Sequence, residues 1–183
     1  YLFSHIRCKN NNFGEESDLT VAKEMILGAF DLGIVHFDLA NNYGPPAGAA
    51  EATFGKVYRE NLTSYRDEMF IATKAGYPSF PGPYGDWGSK KAMLASLDRS
   101  LERIGVDHVD LFYHHRADPD TPLAETAEAL ATAVEQGKAL YVGVSKYSAE
   151  ETKEISRLLQ QRGVKLLTHQ LRYNMFDREA ETE

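Results

Sequence analysis

Ile34-Val35-His36-Phe37-Asp38 and Met69-Phe70-Ile71-Ala72-Thr73-Lys74 are two short apolar runs, each ending on a charged residue. Between them, Ala47 to Asn61 carries Phe54, Val57 and Tyr58 at helical spacing. A strand, a helix and a second strand in that order make the two strands parallel, because the chain needs a crossover to return. The unit repeats downstream, with strands at His108 to Tyr113, Ala139 to Val144 and Lys165 to Leu171. The helix before the third strand has a stripe of Met93, Leu94, Leu97, Leu101 and Ile104, capped by Ser89 and ended by Gly105. Pro122 starts a helix from Leu123 to Gln136 that Gly137 ends, and Ala149 to Arg162 forms the next. Upstream, Ser17 or Asp18 caps a helix with Val21, Met25, Ile26, Ala29 and Phe30 on one face, stopped by Gly33.

Apolar strands flanked by helices belong to a covered parallel sheet, either an open doubly wound sheet or a closed barrel. No Gly-x-Gly-x-x-Gly turn follows any strand, which counts against a nucleotide-binding open sheet. Polar residues gather at the C-terminal strand ends, the rim where a barrel collects its chemistry. The expected class is therefore α/β, a (β/α)8 TIM barrel. Five strands, with a sixth ahead of Phe13, amount to about six of its eight β/α units, and a closed barrel takes about 250 residues. Residues 1–183 are read as a single barrel domain, incomplete at the C-terminus and with material missing at the N-terminus too.

The formal charge of −7 offers no electrostatic footprint for nucleic acid, and no basic run suits a membrane surface. No apolar stretch reaches the roughly 18 residues of a spanning helix. Tyr1 to Asn12 lacks the order of a secretory signal. One cysteine, Cys8, excludes an internal disulfide, fits the cytoplasm, and reads as a spectator thiol.

Four residues suit one reaction, reduction of a carbonyl. Side chains alternate along a strand, so Asp38, Lys74 and His115 each share a face with interior positions and point inward at one rim. Tyr43 follows on a loop that arches over the mouth. A free phenol keeps its proton until about pH 10, and a neighbouring ammonium stabilises the phenolate left when it is donated. A dry barrel tolerates that ammonium, Lys74, beside a carboxylate, Asp38. His115 then orients the substrate oxygen. No nucleophilic Ser or Cys stands beside a base, and no metal constellation is present.

Singly, each residue has a plainer reading: a structural ion pair for Asp38 and Lys74, a packed aromatic for Tyr43, a structural histidine at 115. His36, His108 and His169 read as packing or surface histidines. Joint placement on successive strand ends carries the functional reading. The loop from Tyr77 to Trp87 is the natural wall of a substrate pocket, or a packing loop. Arg116 is a candidate for a substrate phosphate, or for a surface salt bridge.

These segments resemble the aldo-keto reductases. His36-Phe37-Asp38-Leu39-Ala40-Asn41-Asn42-Tyr43-Gly44 is similar to the family's Asp-and-Tyr segment, and Ala72-Thr73-Lys74-Ala75-Gly76 to its Lys segment. Val109-Asp110-Leu111-Phe112-Tyr113-His114-His115-Arg116 resembles its His segment, whose spacing from the aspartate selects His115 over His114. Val142-Gly143-Val144-Ser145 and His169-Gln170-Leu171-Arg172-Tyr173-Asn174 resemble its nicotinamide-contacting segments. Gly44-Pro45-Pro46-Ala47-Gly48 and Phe80-Pro81-Gly82-Pro83-Tyr84-Gly85 look most like the bacterial L-glyceraldehyde 3-phosphate reductase branch, akin to potassium-channel β-subunits.

The resemblance implies NADPH-dependent reduction of small aldehydes such as L-glyceraldehyde 3-phosphate and methylglyoxal, in a homo-oligomer. Tyr43 becomes the proton donor, Asp38, Lys74 and His115 complete the tetrad, and Asp38, Ser145 and Gln170 contact the cofactor. Lys146 stands where the family often has Asn. The segments that grip the cofactor phosphates are absent, so the choice between NADPH and NADH is not legible. The kinship leaves two alternatives open: a cofactor-binding regulatory or scaffold barrel, and an inactive fragment of a reductase.

Overall fold

The computed structural model describes residues 19–181, so Cys8 and the strand expected ahead of Phe13 lie outside the described residues. Helix α1 (Leu19–Asp31) leads into β1 (His36–Asp38), α2 (Ala49–Asn61), β2 (Phe70–Ala75), α3 (Lys90–Ile104) and β3 (Val109–His114). Then come α4 (Leu123–Glu135), β4 (Ala139–Ser145), α5 (Ala149–Gln161) and β5 (Leu166–Gln170). Short 3-10 helices at Thr63–Glu68 and Glu179–Glu181 complete the described elements. Caps end the helices where the sequence places them. Ser89 accepts from Ala92 N, Gly105 turns left-handed at φ 83°, and Ser148 forms a reciprocal capping box with Glu151.

All four strand pairings are parallel, and the strands lie side by side in chain order from β1 to β5. A doubly wound sheet reverses its strand order at a switch point, and none occurs here. The helices cover one face. Phe37, Ile71, Phe112, Val142 and Val144 join the helix residues Phe54, Met93, Leu97, Leu130 and Ile155 in one buried core. On the other face Ala72, Leu111 and Tyr113 form a separate small cluster with Phe70, without any helix residue. Gln170 Nε2 on β5 donates to Asp38 Oδ2 on β1 at 2.9 Å, so the sheet curls until its first and last strands meet at the rim. Five parallel strands curled with helices outside are part of a (β/α)8 barrel. Gly143 allows the curl, since a Cβ there would lie 2.7 Å from the Tyr113 ring.

One local expectation changes, and one pairing is irregular. Val21 is exposed and Ala22 faces the core with Ile26 and Ala29, a rotation of one position around α1. A register shift between Val142 and Gly143 irregularises the β4–β5 pairing.

The outer layer is pinned by Glu51 of α2, which is fully buried. It accepts from the Thr73 hydroxyl on β2 and from Arg103 Nε on α3 at 2.7 Å. Removing it leaves the buried Thr73 hydroxyl without its acceptor and the partly buried Arg103 guanidinium without its counter-charge, at a cost of roughly 2–4 kcal/mol. Glu51→Ala is therefore expected to lower the urea-unfolding free energy by about that amount. A change below about 1 kcal/mol would show that water replaces the pin.

Candidate active site

Strand register sets the site. Leu39 N donates to Ala72 O and Asn41 N to Lys74 O, continuing the β1–β2 ladder past the end of β1. Asn41 Nδ2 donates to Ser96 Oγ on α3 at 2.7 Å. The chain then turns, and Tyr43 is held by its own backbone bonds to Ala40 and Ala50. Gly44 is required in that turn, because a Cβ would lie 1.8 Å from Pro46 O. Opposite, Lys74 points inward from β2 with no exposed side-chain surface. Its Nζ donates to Asp38 Oδ1 at 2.6 Å, Leu39 O at 2.9 Å and Tyr43 Oη at 3.4 Å. Those three contacts use the three N–H donors of an ammonium.

His114 and His115 lie on opposite faces, as consecutive strand-end residues do. His114 faces the helix layer, its Nδ1 against Tyr147 Oη and its ring against Gly88, where a Cβ would come within 2.6 Å. Burial pushes its pKa down to about 4. His115 turns inward, edge-on to Tyr77 at 4.7 Å and to Tyr43 at 5.9 Å between ring centroids. Its Nδ1 is buried without a hydrogen-bond partner among the described residues. Burial, then the cations of Lys74 and Lys146, push His115 down to about 3, against a smaller opposing pull from Asp38. The imidazole is therefore neutral at ordinary pH.

A cavity of about 710 Å³ opens on this rim, lined by Asn42, Tyr43, Tyr77, His115, Ser145, Lys146, Gln170 and residues 171–174. Asp38 and Lys74 lie behind Tyr43 and Gln170 rather than on the wall. Of the candidate substrate residues, Tyr77 lines the cavity and Trp87 and Arg116 do not. Arg116 donates to Gly76 O at 2.7 Å and Asp86 Oδ1 at 2.9 Å, and its guanidinium is sandwiched between the Tyr77 and Trp87 rings. It holds the loop together, the salt-bridge reading of that residue. Asn42, Arg172 and Asn174 line the cavity without having been singled out; their position just past strand ends was the available signal.

The chain matches the aldo/keto reductase family model over residues 9–183. The chain belongs to the aldo/keto reductase family. It is 55% identical over 168 residues to L-glyceraldehyde 3-phosphate reductase of Escherichia coli K12, covering 92% of this chain and 49% of that protein. It is 35% identical over 173 residues to a probable voltage-gated potassium channel subunit beta of Arabidopsis thaliana, covering 93% and 52%. The crystal structure of a thermostable aldo-keto reductase, Tm1743, in complex with the inhibitor epalrestat superimposes with a TM-score of 0.80 at 29% identity. That match covers 94% of this chain and 59% of the other. The chain thus spans about half the length of the curated relatives it matches.

The residues present fit the nicotinamide cofactor such reductases use. Ser145 Oγ donates to Gln170 O at 2.8 Å and keeps acceptor capacity. Gln170 spends one N–H on Asp38 and retains its carbonyl and a second N–H, the complement of a carboxamide. Among the described residues no helix is long and apolar enough to cross a membrane, and no group of three His, Cys, Asp or Glu could hold a metal.

The neutral histidines of this aldo/keto reductase chain make its stability pH-dependent. In the unfolded chain an imidazole takes a proton near pH 6.5; folded, His115 waits until about 3 and His114 until about 4. The unfolded state therefore binds more protons below pH 6.5, and their contribution, full above that pH, falls as pH drops toward those values. Each adds about 1.4 kcal/mol per pH unit to the slope once well below 6.5. Urea unfolding at pH 7.5 to 5 should show a shallower decline for His115→Asn than for the native protein, and equal slopes would contradict a neutral buried His115.

Proposed function

We propose that the protein is an NADPH-dependent reductase of small aldehydes and ketones, such as L-glyceraldehyde 3-phosphate and methylglyoxal, with Tyr43 as proton donor. One observation carries this reading: Lys74 Nζ is bonded to both the Asp38 carboxylate and the Tyr43 phenol, and that phenol and His115 line one cavity. The 55% identity to the E. coli reductase supports the substrate class.

The carbonyl oxygen sits between Tyr43 Oη and the His115 ring. Ser145 and Gln170, with Asp38 behind Gln170, would hold the nicotinamide, whose chemistry would supply a hydride. As the carbonyl carbon accepts it, the C=O electron pair moves to oxygen, and that oxygen takes the Tyr43 proton. Lys74 stabilises the phenolate left behind, and Asp38 keeps the ammonium fixed and compensated. Neutral His115 donates a hydrogen bond that aligns the oxygen rather than giving up its proton. Tyr77 closes one side and limits water at the reacting carbon.

The same reading takes the protein to be a cytoplasmic homo-oligomer without nucleic-acid or membrane partners. The 35% identity to a channel β-subunit supports a second reading, a regulatory barrel that binds cofactor with little turnover. Turnover separates them. In the full-length protein, Tyr43→Phe is expected to cut kcat on methylglyoxal by on the order of 10²–10⁴-fold while leaving NADPH affinity near native. Near-native turnover in that variant would remove Tyr43 from the role.

A further inference from the structure

Lys146 follows Ser145 at the end of β4 with φ of 57°, in the left-handed region. Gly, Asn and Asp occupy that region at least cost, so the backbone gives no reason for a lysine there. A strained residue at a site rim points to a use for its side chain. Lys146 Nζ crosses the mouth of the cavity and donates to Tyr77 Oη at 2.7 Å. The Tyr77 ring in turn meets His115 edge-on. Ammonium and imidazole therefore both contact one phenol.

Among the described residues no carboxylate lies within ion-pair distance of Lys146. The cavity wall holds Lys146 and also Arg172, which pairs with Asp177 at 3.6 Å, and it holds no carboxylate, in a chain whose net charge is −7. Asp38, behind the wall, is already paired with Lys74, and Asp177 with Arg172. Positive potential concentrated in one concave place selects an anion. A molecule that meets both His115 and Lys146 has a carbonyl at the imidazole and a negative group a few bonds away.

We propose that Lys146, steadied by Tyr77, binds the phosphate of the carbonyl substrate and so selects phosphorylated aldehydes over neutral ones. This rests on the reductase reading for the carbonyl end but not for the anion itself. A charge-assisted contact of this kind corresponds to on the order of 10- to 100-fold in binding.

The test uses the full-length protein, native and as Lys146→Met and Lys146→Arg. In Lys146→Met the ratio of kcat/KM for L-glyceraldehyde 3-phosphate to that for methylglyoxal should fall by roughly 10- to 100-fold, mainly through KM. Lys146→Arg should recover most of it. Calorimetric titration of the NADPH-saturated protein with glycerol 3-phosphate, a probe that is not turned over, should show binding that Lys146→Met weakens and Lys146→Arg keeps. An unchanged ratio together with unchanged glycerol 3-phosphate affinity overturns the anchor while leaving the reductase standing. A Lys146→Met variant that loses NADPH affinity instead assigns the cation to the cofactor's phosphates, and overturns it equally. If the native protein reduces neither aldehyde, the reductase reading fails, and the calorimetric comparison still decides whether Lys146 holds a phosphate.

Discussion

The buried ammonium of Lys74 is the constraint on which the rest of the structure depends. Taking such a charge out of water costs several kcal/mol after relaxation, and only an opposite charge and full hydrogen bonding offset it. Lys74 meets that demand with Asp38, the Leu39 carbonyl and the Tyr43 phenol. Two of those partners require β1 to lie parallel beside β2 in one register, Asp38 opposite Ala72. The third requires the chain after β1 to turn back over the rim. Asp38 then has one oxygen left, and it accepts from Gln170 on the far strand. The ion pair that serves the proposed chemistry is thus also a tie across the mouth of the half-barrel.

Much of this was legible along the chain because it depends on local periodicity. Alternation along a strand places Lys74 with Ala72 and His115 with Tyr113 and Leu111, and those apolar partners form the inner cluster. Ser89 and Gly105 mark helix ends through chemistry confined to three or four residues. What was not legible depends on curvature and on distant approaches. The Asp38–Gln170 contact joins positions 132 residues apart and exists only because the sheet curls. The Glu51–Thr73–Arg103 pin needs three elements in their final places. In α1 the apolar residues Val21, Met25, Ile26, Ala29 and Phe30 outline a face, but the packing partner decides its centre, and small Ala22 wins over Val21.

The loop from Gly76 to Gly88 shows how an irregular segment becomes a fixed wall. Few backbone bonds hold it internally, Ser79 N to Gly85 O among them. Arg116, just after β3, takes over that task, since its planar cation stacks on Tyr77 and Trp87 while its N–H groups hold Gly76 O and Asp86. The positions of Trp87 and Arg116 therefore matter to the cavity through Tyr77, the member of the stack that reaches it.

Electrostatics then connects the wall to the chemistry. Lys74 lies behind the cavity and Lys146 at its mouth, and both act against a proton on His115, with burial as the larger cause. In the proposed chemistry such a neutral imidazole is a poor acid but would serve as a donor to an oxygen that gains negative charge. In the proposed reaction the same pair of cations would favour that developing charge, Lys74 through the phenol and Lys146 through space. In the proposed reading, the field that removes His115 from acid chemistry is also the field into which an oxyanion, and an anionic substrate, would be drawn.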